Sequence, residues 1–423
     1  MRKLLLATTA ALGASVAIAG GAYAGTITPN APNPAPGSIS VTFNTVVEAF
    51  VFNGSDTGKV RAETTNTGYA GGTKSQGYGI GSYIRLFPSF TGMLANGLQY
   101  GASAEFRQTS GFSNKSSNPV AATVYNQRAF LYIGADQFGK VYVGSQVQPT
   151  ELFQTGNPAN FNTGGWDGDL PGIFATGLPY FIDDSNDQAN KIVYVSPQFA
   201  GFDFGASFEP DSYGRDFGGP LNTRVSSTPV TQSQYGNRIN TVDGSVRYQG
   251  SFGPFGIKSN VGGSAGGTVR ASDGNANHQS YSLVAGGLGV TYGGLEVDGH
   301  IDTGHFNSSF QPEQHGAHIS TGYVVGASYT IGPVIFGGSY YGFDSGQYKN
   351  GVSAVGTLHG YGIAAGGTYT LAPGASVFLE YLYGHQRANG YDLINGAINT
   401  AGGPKVNNTV QEQGVGLGTA FKF

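Results

Sequence analysis

Fifteen charged side chains stand inside segments that alternate apolar and polar residues: Glu48, Arg85, Glu105, Arg107, Arg128, Asp203, Asp243, Arg247, Lys258, Glu296, Asp298, Asp302, Glu380, Glu412 and Lys422. Each falls on the face opposite the apolar residues of its segment, since side chains along a strand alternate with a period of two. Charges of both signs on one face hold water and ions against a wall. Histidine is the next group to weigh. His300 and His318 share that polar face on two strands joined by one loop, with Asp302 and Glu313 nearby and His305 and His315 in the loop. Two imidazoles with carboxylates could hold a divalent cation. Polar residues of a wet wall are the commoner use of such positions, so no metal and no other cofactor is expected. Catalysis would need a nucleophile, a base and an orienting group within hydrogen-bond reach. No G-x-S-x-G elbow or comparable local signature is expected, and the chain does not read as an enzyme.

Those faces require strands to carry them. The stretch "ISVTFNTVVEAFV" sets Ile39, Val41, Phe43, Val47 and Val51 against Ser40, Asn44 and Glu48. "YGIGSYIRLF" sets Ile80, Ile84 and Leu86 against Tyr83 and Arg85, and "LQYGASAEFR" sets Leu98, Tyr100, Ala102, Ala104 and Phe106 against Gln99, Glu105 and Arg107. The same rhythm predicts strands at 123–134, 141–147, 191–196, 202–209, 239–249, 255–264, 281–292, 295–302, 318–329, 334–343, 358–371, 376–384 and 411–423, sixteen in all. Seven short turns, among them Gly293-Gly294 and Gly332-Pro333, alternate with eight longer loops. Antiparallel strands with both chain ends on one side give that alternation.

The chain of 423 residues opens with Arg2 and Lys3, an apolar run and Ala22-Tyr23-Ala24, which reads as a signal peptide over 1–24. Pro29, Pro32, Pro34 and Pro36 make 25–37 an extended arm, and 38–423 carries the strands. There is no cysteine, so disulfides do not supply the stability of this exported chain. A net charge of −4 leaves no footprint for nucleic acid. No stretch after the signal approaches the ~20 apolar residues of a membrane helix. Alternation alone does not say which face is inside. Sixteen strands with the apolar face inward would form large sheets with exposed edges, whereas a closed barrel in lipid needs only one apolar residue in two. The fold class is therefore all-β, a transmembrane antiparallel β-barrel. Phe421 and Phe423 form a terminal aromatic girdle, joined near short turns by Tyr292, Tyr329, Tyr369 and Tyr381 or Tyr383.

Three stretches make the chain resemble the general porins of Gram-negative outer membranes: the end "GVGLGTAFKF", "NQRAFLYIGADQFGKVYVGSQ" before the longest loop, and "NKIVYVSPQFAGFDFGASF" after it. The resemblance covers essentially everything after the Pro-rich arm. It implies an outer-membrane channel for passive diffusion of small hydrophilic solutes and ions. It also implies a homotrimer in contact with membrane lipid and lipopolysaccharide, inserted by the barrel assembly machinery that reads the terminal strand. A substrate-specific channel, for sugars for example, is the alternative; a barrel enzyme or an adhesin is a more distant one. The resemblance further implies that the third loop, 148–190, folds inward as a constriction. Its Glu151, Asp167, Asp169, Asp183, Asp184 and Asp187 would then face Arg85, Arg107 and Arg128 on the wall. Such charges set a transverse field across a narrow aqueous gap. Many relatives carry Arg where Ser145 stands here, so a thinner basic side is expected. With Glu48 and Glu105 offsetting the arginines, the expected selectivity is a weak preference for cations. Trp166, the only Trp, would serve in the loop as packing anchor or ligand platform.

Overall fold

The computed structural model describes residues 34–56, 77–108, 124–174, 177–182, 189–212, 238–268, 278–346, 357–389, 391–393, 397–398 and 408–423. The signal segment 1–24, arm residues 25–33, and Asp183, Asp184 and Asp187 lie outside them. The strands are β1 (Ile39–Asp56), β2 (Tyr78–Met93), β3 (Gln99–Gln108), β4 (Val124–Ala135), β5 (Gly139–Ser145), β6 (Asn190–Val195), β7 (Phe202–Asp211), β8 (Arg238–Phe252) and β9 (Phe255–Thr268). They continue with β10 (Tyr281–Tyr292), β11 (Leu295–His305), β12 (Ser320–Ile331), β13 (Val334–Ser345), β14 (Leu358–Ala372), β15 (Ala375–Ala388), β16 (Tyr391–Asp392), β17 (Ala397–Ile398) and β18 (Thr409–Lys422). β1 to β15 pair in sequence order, and β18 closes a sixteen-stranded barrel between β15 and β1. β16 and β17 form a separate small hairpin that the alternation did not announce.

Closure draws Phe423 into the backbone ladder. β18 runs against β1 from Val46↔Lys422 to Asp56↔Glu412. Beyond it the Phe423 N–H donates to the Thr45 carbonyl at 2.9 Å and the Thr45 N–H to the Phe423 carbonyl at 3.1 Å. The last residue is a full member of the ladder. At the short turns the backbone must reverse in two residues, and Gly293 (φ 59°) and Gly332 (φ 55°) take the left-handed conformation that this needs.

Burial assigns the two faces. Val41 and Ile80 are 75% and 78% exposed, while Glu105, Asp302 and Glu380 have no exposure at all. That inversion suits a wall with hydrocarbon outside. Tyr292, Tyr329 and Tyr369 lie exposed near short turns, as expected. Tyr381 and Tyr383 lie away from the short turns. They sit midway along and in the far half of β15, where Tyr383 continues an outward row of Tyr323, Tyr340 and Tyr361 with neighbouring ring centroids 5.9–6.2 Å apart.

One half of the inner wall departs from a wet polar surface. Tyr281 and Leu283 on β10, Val324 on β12, Tyr341 and Phe343 on β13 and Leu382 on β15 are buried and belong to one apolar cluster. On β10 the outward Val284 and Leu288 are exposed as well, so that strand is apolar on both faces. An apolar face inside the barrel must be covered from within. Trp166, Leu170, Phe174, Phe181 and Ile182 of the third loop cover it, together with Phe306 and Phe310 from the segment between β11 and β12.

Candidate pore constriction

The loop between β5 and β6 follows the inner wall for more than half its circumference. It starts with one helical turn, Pro149–Leu152, set against β7, β8 and β9. Every backbone N–H taken inside the barrel needs an acceptor, and inward carboxylates and amides of the wall provide them. The Thr150 N–H and hydroxyl donate to Asp243 at 3.0 and 2.8 Å, and those of Thr155 to Asn260 at 3.0 and 2.8 Å. Asn160 donates to Glu296 and Ser328, and the Gly165 N–H and Thr163 hydroxyl to Glu380. On the way back the Gly177 N–H donates to Glu412 at 2.7 Å and the Phe181 N–H to the Tyr341 hydroxyl at 2.7 Å. Asp243, Glu296, Glu380 and Glu412, expected as solvated wall charges, are loop anchors. The charge pattern of the sequence found the face but not this use.

Small wall residues give the loop room. A Cβ on Gly384 would lie 2.7 Å from the Trp166 ring, one on Gly416 2.7 Å from Leu170, and one on Gly326 2.6 Å from Pro158. Trp166 lies flat in its seat, stacked on Phe174 at 5.7 Å, with its indole N–H donated to the Ile363 carbonyl at 3.2 Å. It is buried and acts as a packing anchor, which resolves its two possible uses. Tyr180 is fixed by a 3.3 Å hydrogen bond to Asn157; burial, then nearby Asp167, holds its hydroxyl well above the usual titration range.

At its far end the loop leaves the wall it has followed and reaches β2. Asp169 meets Arg85 at 3.3 Å, with the Arg85 guanidinium 5.1 Å above the Tyr83 ring. Among the described residues, Arg107 and Arg128 pair with none of the loop's carboxylates. They converge on Glu105 of the same wall, at 2.5 and 2.7 Å, so one buried carboxylate is held between two guanidiniums. Asp167 accepts from Asn157 at 3.0 Å within the loop. Glu151 belongs to the helical turn against β7–β9, away from the arginine wall. Ser145 is buried and pairs with Ala129 and Asn190, leaving no cation at that position.

One charge cluster was missed. Glu209 binds Lys191 at 3.0 Å and Arg238 at 3.2 Å, and Arg238 also donates to the Phe310 carbonyl, tying the segment between β11 and β12 to β8. Their only signal is position, at strand ends beside long loops. The histidines are separated by register. His300 pairs with Val324, six residues from His318, and both its ring nitrogens are engaged by Thr155 and Asp302. A match to G-x-S-x-G does occur at Gly262–Gly266. It lies inside extended β9, where the Ser264 hydroxyl donates to the Val242 carbonyl at 3.3 Å, so it forms no elbow.

The family model described as Gram-negative porin matches residues 7–389. Among solved structures, the chain is similar to the anion-selective porin from Comamonas acidovorans, with 18% identity, TM-score 0.55, and coverage of 91% of this chain and 100% of that one. It is also similar to a loop-deleted OmpT of Vibrio cholerae, at 12% identity and TM-score 0.52 over 91% and 99% of the two chains. The trimer form of the Vibrio cholerae OmpT gives 15% identity and TM-score 0.50 over 91% and 100%. No curated protein matches the sequence. At such identities the structures speak for the fold, and the family model speaks for membership. A closed barrel with its apolar face outward, a charged wall within and a loop drawn inside thus identifies the chain as a member of the Gram-negative porin family, a multi-pass outer-membrane channel for passive diffusion of small hydrophilic solutes and ions.

Proposed function

We propose that the narrowest part of this channel lies between loop 148–190 and the arginine wall, and that it passes small solutes with a weak preference for cations. The observation that carries this reading is the Asp169 contact to Arg85, 84 residues apart in sequence, where the loop tip comes across to β2. Around that contact Arg85, Arg107 and Arg128 stand with Glu48, Glu105, Asp167 and Asp169, three cations and four carboxylates among the described residues. Two of the arginines share Glu105, which reduces what they offer a passing anion. At physiological salt the screening length is about 8 Å, so charges at the narrowest point dominate. Anion selectivity belongs to the Comamonas acidovorans protein by its description; it follows eyelet charges, not the fold. We assign no catalytic centre and no cofactor.

Neutralising Asp167 and Asp169 together should move the reversal potential in a salt gradient toward the anion side, and Arg128→Gln should move it the other way. Both variants leaving it unmoved would refute the assignment. We also propose a homotrimer. An apolar concavity of about 1000 Å³ lies on the outward side of β1–β5, lined by Phe43, Phe90, Ala102, Ala104, Phe106 and Leu131. Filling it by Ala102→Trp should convert detergent-solubilised trimers to monomers, as read by sedimentation; a monomeric unmodified protein would contradict the trimer.

A further inference from the structure

His300 sits where the constriction loop touches the wall backbone to backbone. It faces Gly287 across the β10–β11 ladder. A Cβ on Gly287 would collide with the Thr155 carbonyl, and one on Gly156 would lie 2.7 Å from the Leu288 nitrogen. His300 Nδ1 is 2.7 Å from the Thr155 carbonyl oxygen, its Nε2 is 3.0 Å from Asp302 Oδ1, and the imidazole is buried. A carbonyl oxygen only accepts, and so does a carboxylate oxygen. A neutral imidazole has one N–H and cannot donate in both directions. The two contacts together require one more proton on the His300–Asp302 pair, carried either as imidazolium facing carboxylate or as imidazole facing carboxylic acid.

We propose that His300 and Asp302 are positioning residues, a protonated clamp that holds the constriction loop against the wall and releases its Thr155 segment when the shared proton is lost. Without that proton a ring lone pair faces an acceptor on one side, and one bond of the clamp becomes a repulsion. The clamp is therefore closed at lower pH and opens as pH rises. Among the described residues, the other charges near it are few. On β11 itself Asp298 and Glu296 lie toward the short-turn end, and Lys258 of β9 is in register with Asp298 through Gly289. The loop brings Tyr180, which also lies beside Asp167, toward Asp302. Asn260 on β9 is neutral, and β10 and β12 present Gly287 and Val324 there.

The test is native hydrogen–deuterium exchange of residues 149–160 in the folded barrel, expressed as protection factors between pH 5 and pH 9, with single-channel recordings of the same proteins. In the wild type, protection should fall at the alkaline end by about tenfold or more, the scale of one charge-assisted hydrogen bond, while open-channel noise increases. Asp302→Asn is the decisive variant. Its side-chain amide donates to Nε2, so neutral His300 keeps both contacts without the extra proton, and protection should stay high across the range. His300→Ala should be unprotected throughout. Wild-type protection that does not change with pH, or an Asp302→Asn protein that keeps the wild-type pH dependence, overturns the proposal. A second titrating group lies at the mouth, where burial raises Glu313 to about 7 in its pair with His305. Asp302→Asn leaves that pair untouched, so pH dependence surviving the substitution would belong there. The inference rests on the constriction reading only for its effect on current: loss of protection with unchanged conductance would uphold the clamp and refute the constriction.

Discussion

Phe423 shows what a single residue does in a closed sheet. Its backbone bonds Thr45 in both directions, and its ring lies 6.3 Å from Phe421 in a stacked pair on the lipid side. Removing that anchor affects the seam at which the barrel closes, on the lipid side of the wall and not on the inward face that carries Arg85. Phe423→Asp should therefore lower the amount of folded protein in outer-membrane fractions while each assembled channel conducts normally. Normal amounts of the variant would contradict this role. Three positions earlier on the lipid-facing set, Leu417 is 55% exposed and pairs with Val51 and Leu379. Leu417→Arg should cost about 2–4 kcal/mol if it lies at the midplane, measurable by urea unfolding in lipid vesicles. No measurable loss would place that strand elsewhere in the membrane.

The constriction loop is held by elements that look unremarkable one by one. Glu380 and Glu412 accept its N–H groups, and Gly362 and Gly384 leave the slot in which Trp166 lies. Adding a side chain on that wall does not disturb the strand ladder, but it takes the place of the indole. Gly384→Val should displace Trp166, raise single-channel conductance and quench less of the tryptophan emission that a buried, stacked indole gives, with barrel content by circular dichroism unchanged. Unaltered conductance together with an unaltered Trp166 spectrum would mean that the loop does not depend on this seat.

At the scale of the molecule, the strands were legible in the sequence because lipid imposes one strict demand, an apolar residue at every second position, and because short glycine turns punctuate it. β10 at Tyr281–Tyr292 was read with its bounds intact. The path of the loop was not legible. Its seats are glycines among many other strand glycines, and its anchors are carboxylates that, as sequence, cannot be told from pore-lining ones. A partial signal existed in "YSLVAGGLGV", where Tyr281 and Leu283 on one face and Val284 and Leu288 on the other leave neither face polar. Lipid explains only one of those faces; the other announces a cover inside the barrel. Among the described residues, the expected pairing of loop acids with three wall arginines is seen in one contact, Asp169 with Arg85, while Glu105 stands between Arg107 and Arg128 and engages both.

The measurement that bears most directly on the whole account is the current through single wild-type channels in a planar bilayer, with the reversal potential taken across a tenfold gradient of potassium chloride. A diffusion channel with this balance of eyelet charges should show ohmic steps that need no ligand or energy source. Its reversal potential should have the sign of a cation preference, small in size and shrinking further as both solutions are made more concentrated. Bilayers that stay closed would contradict the channel itself, and a clear anion preference would contradict the assignment of its constriction.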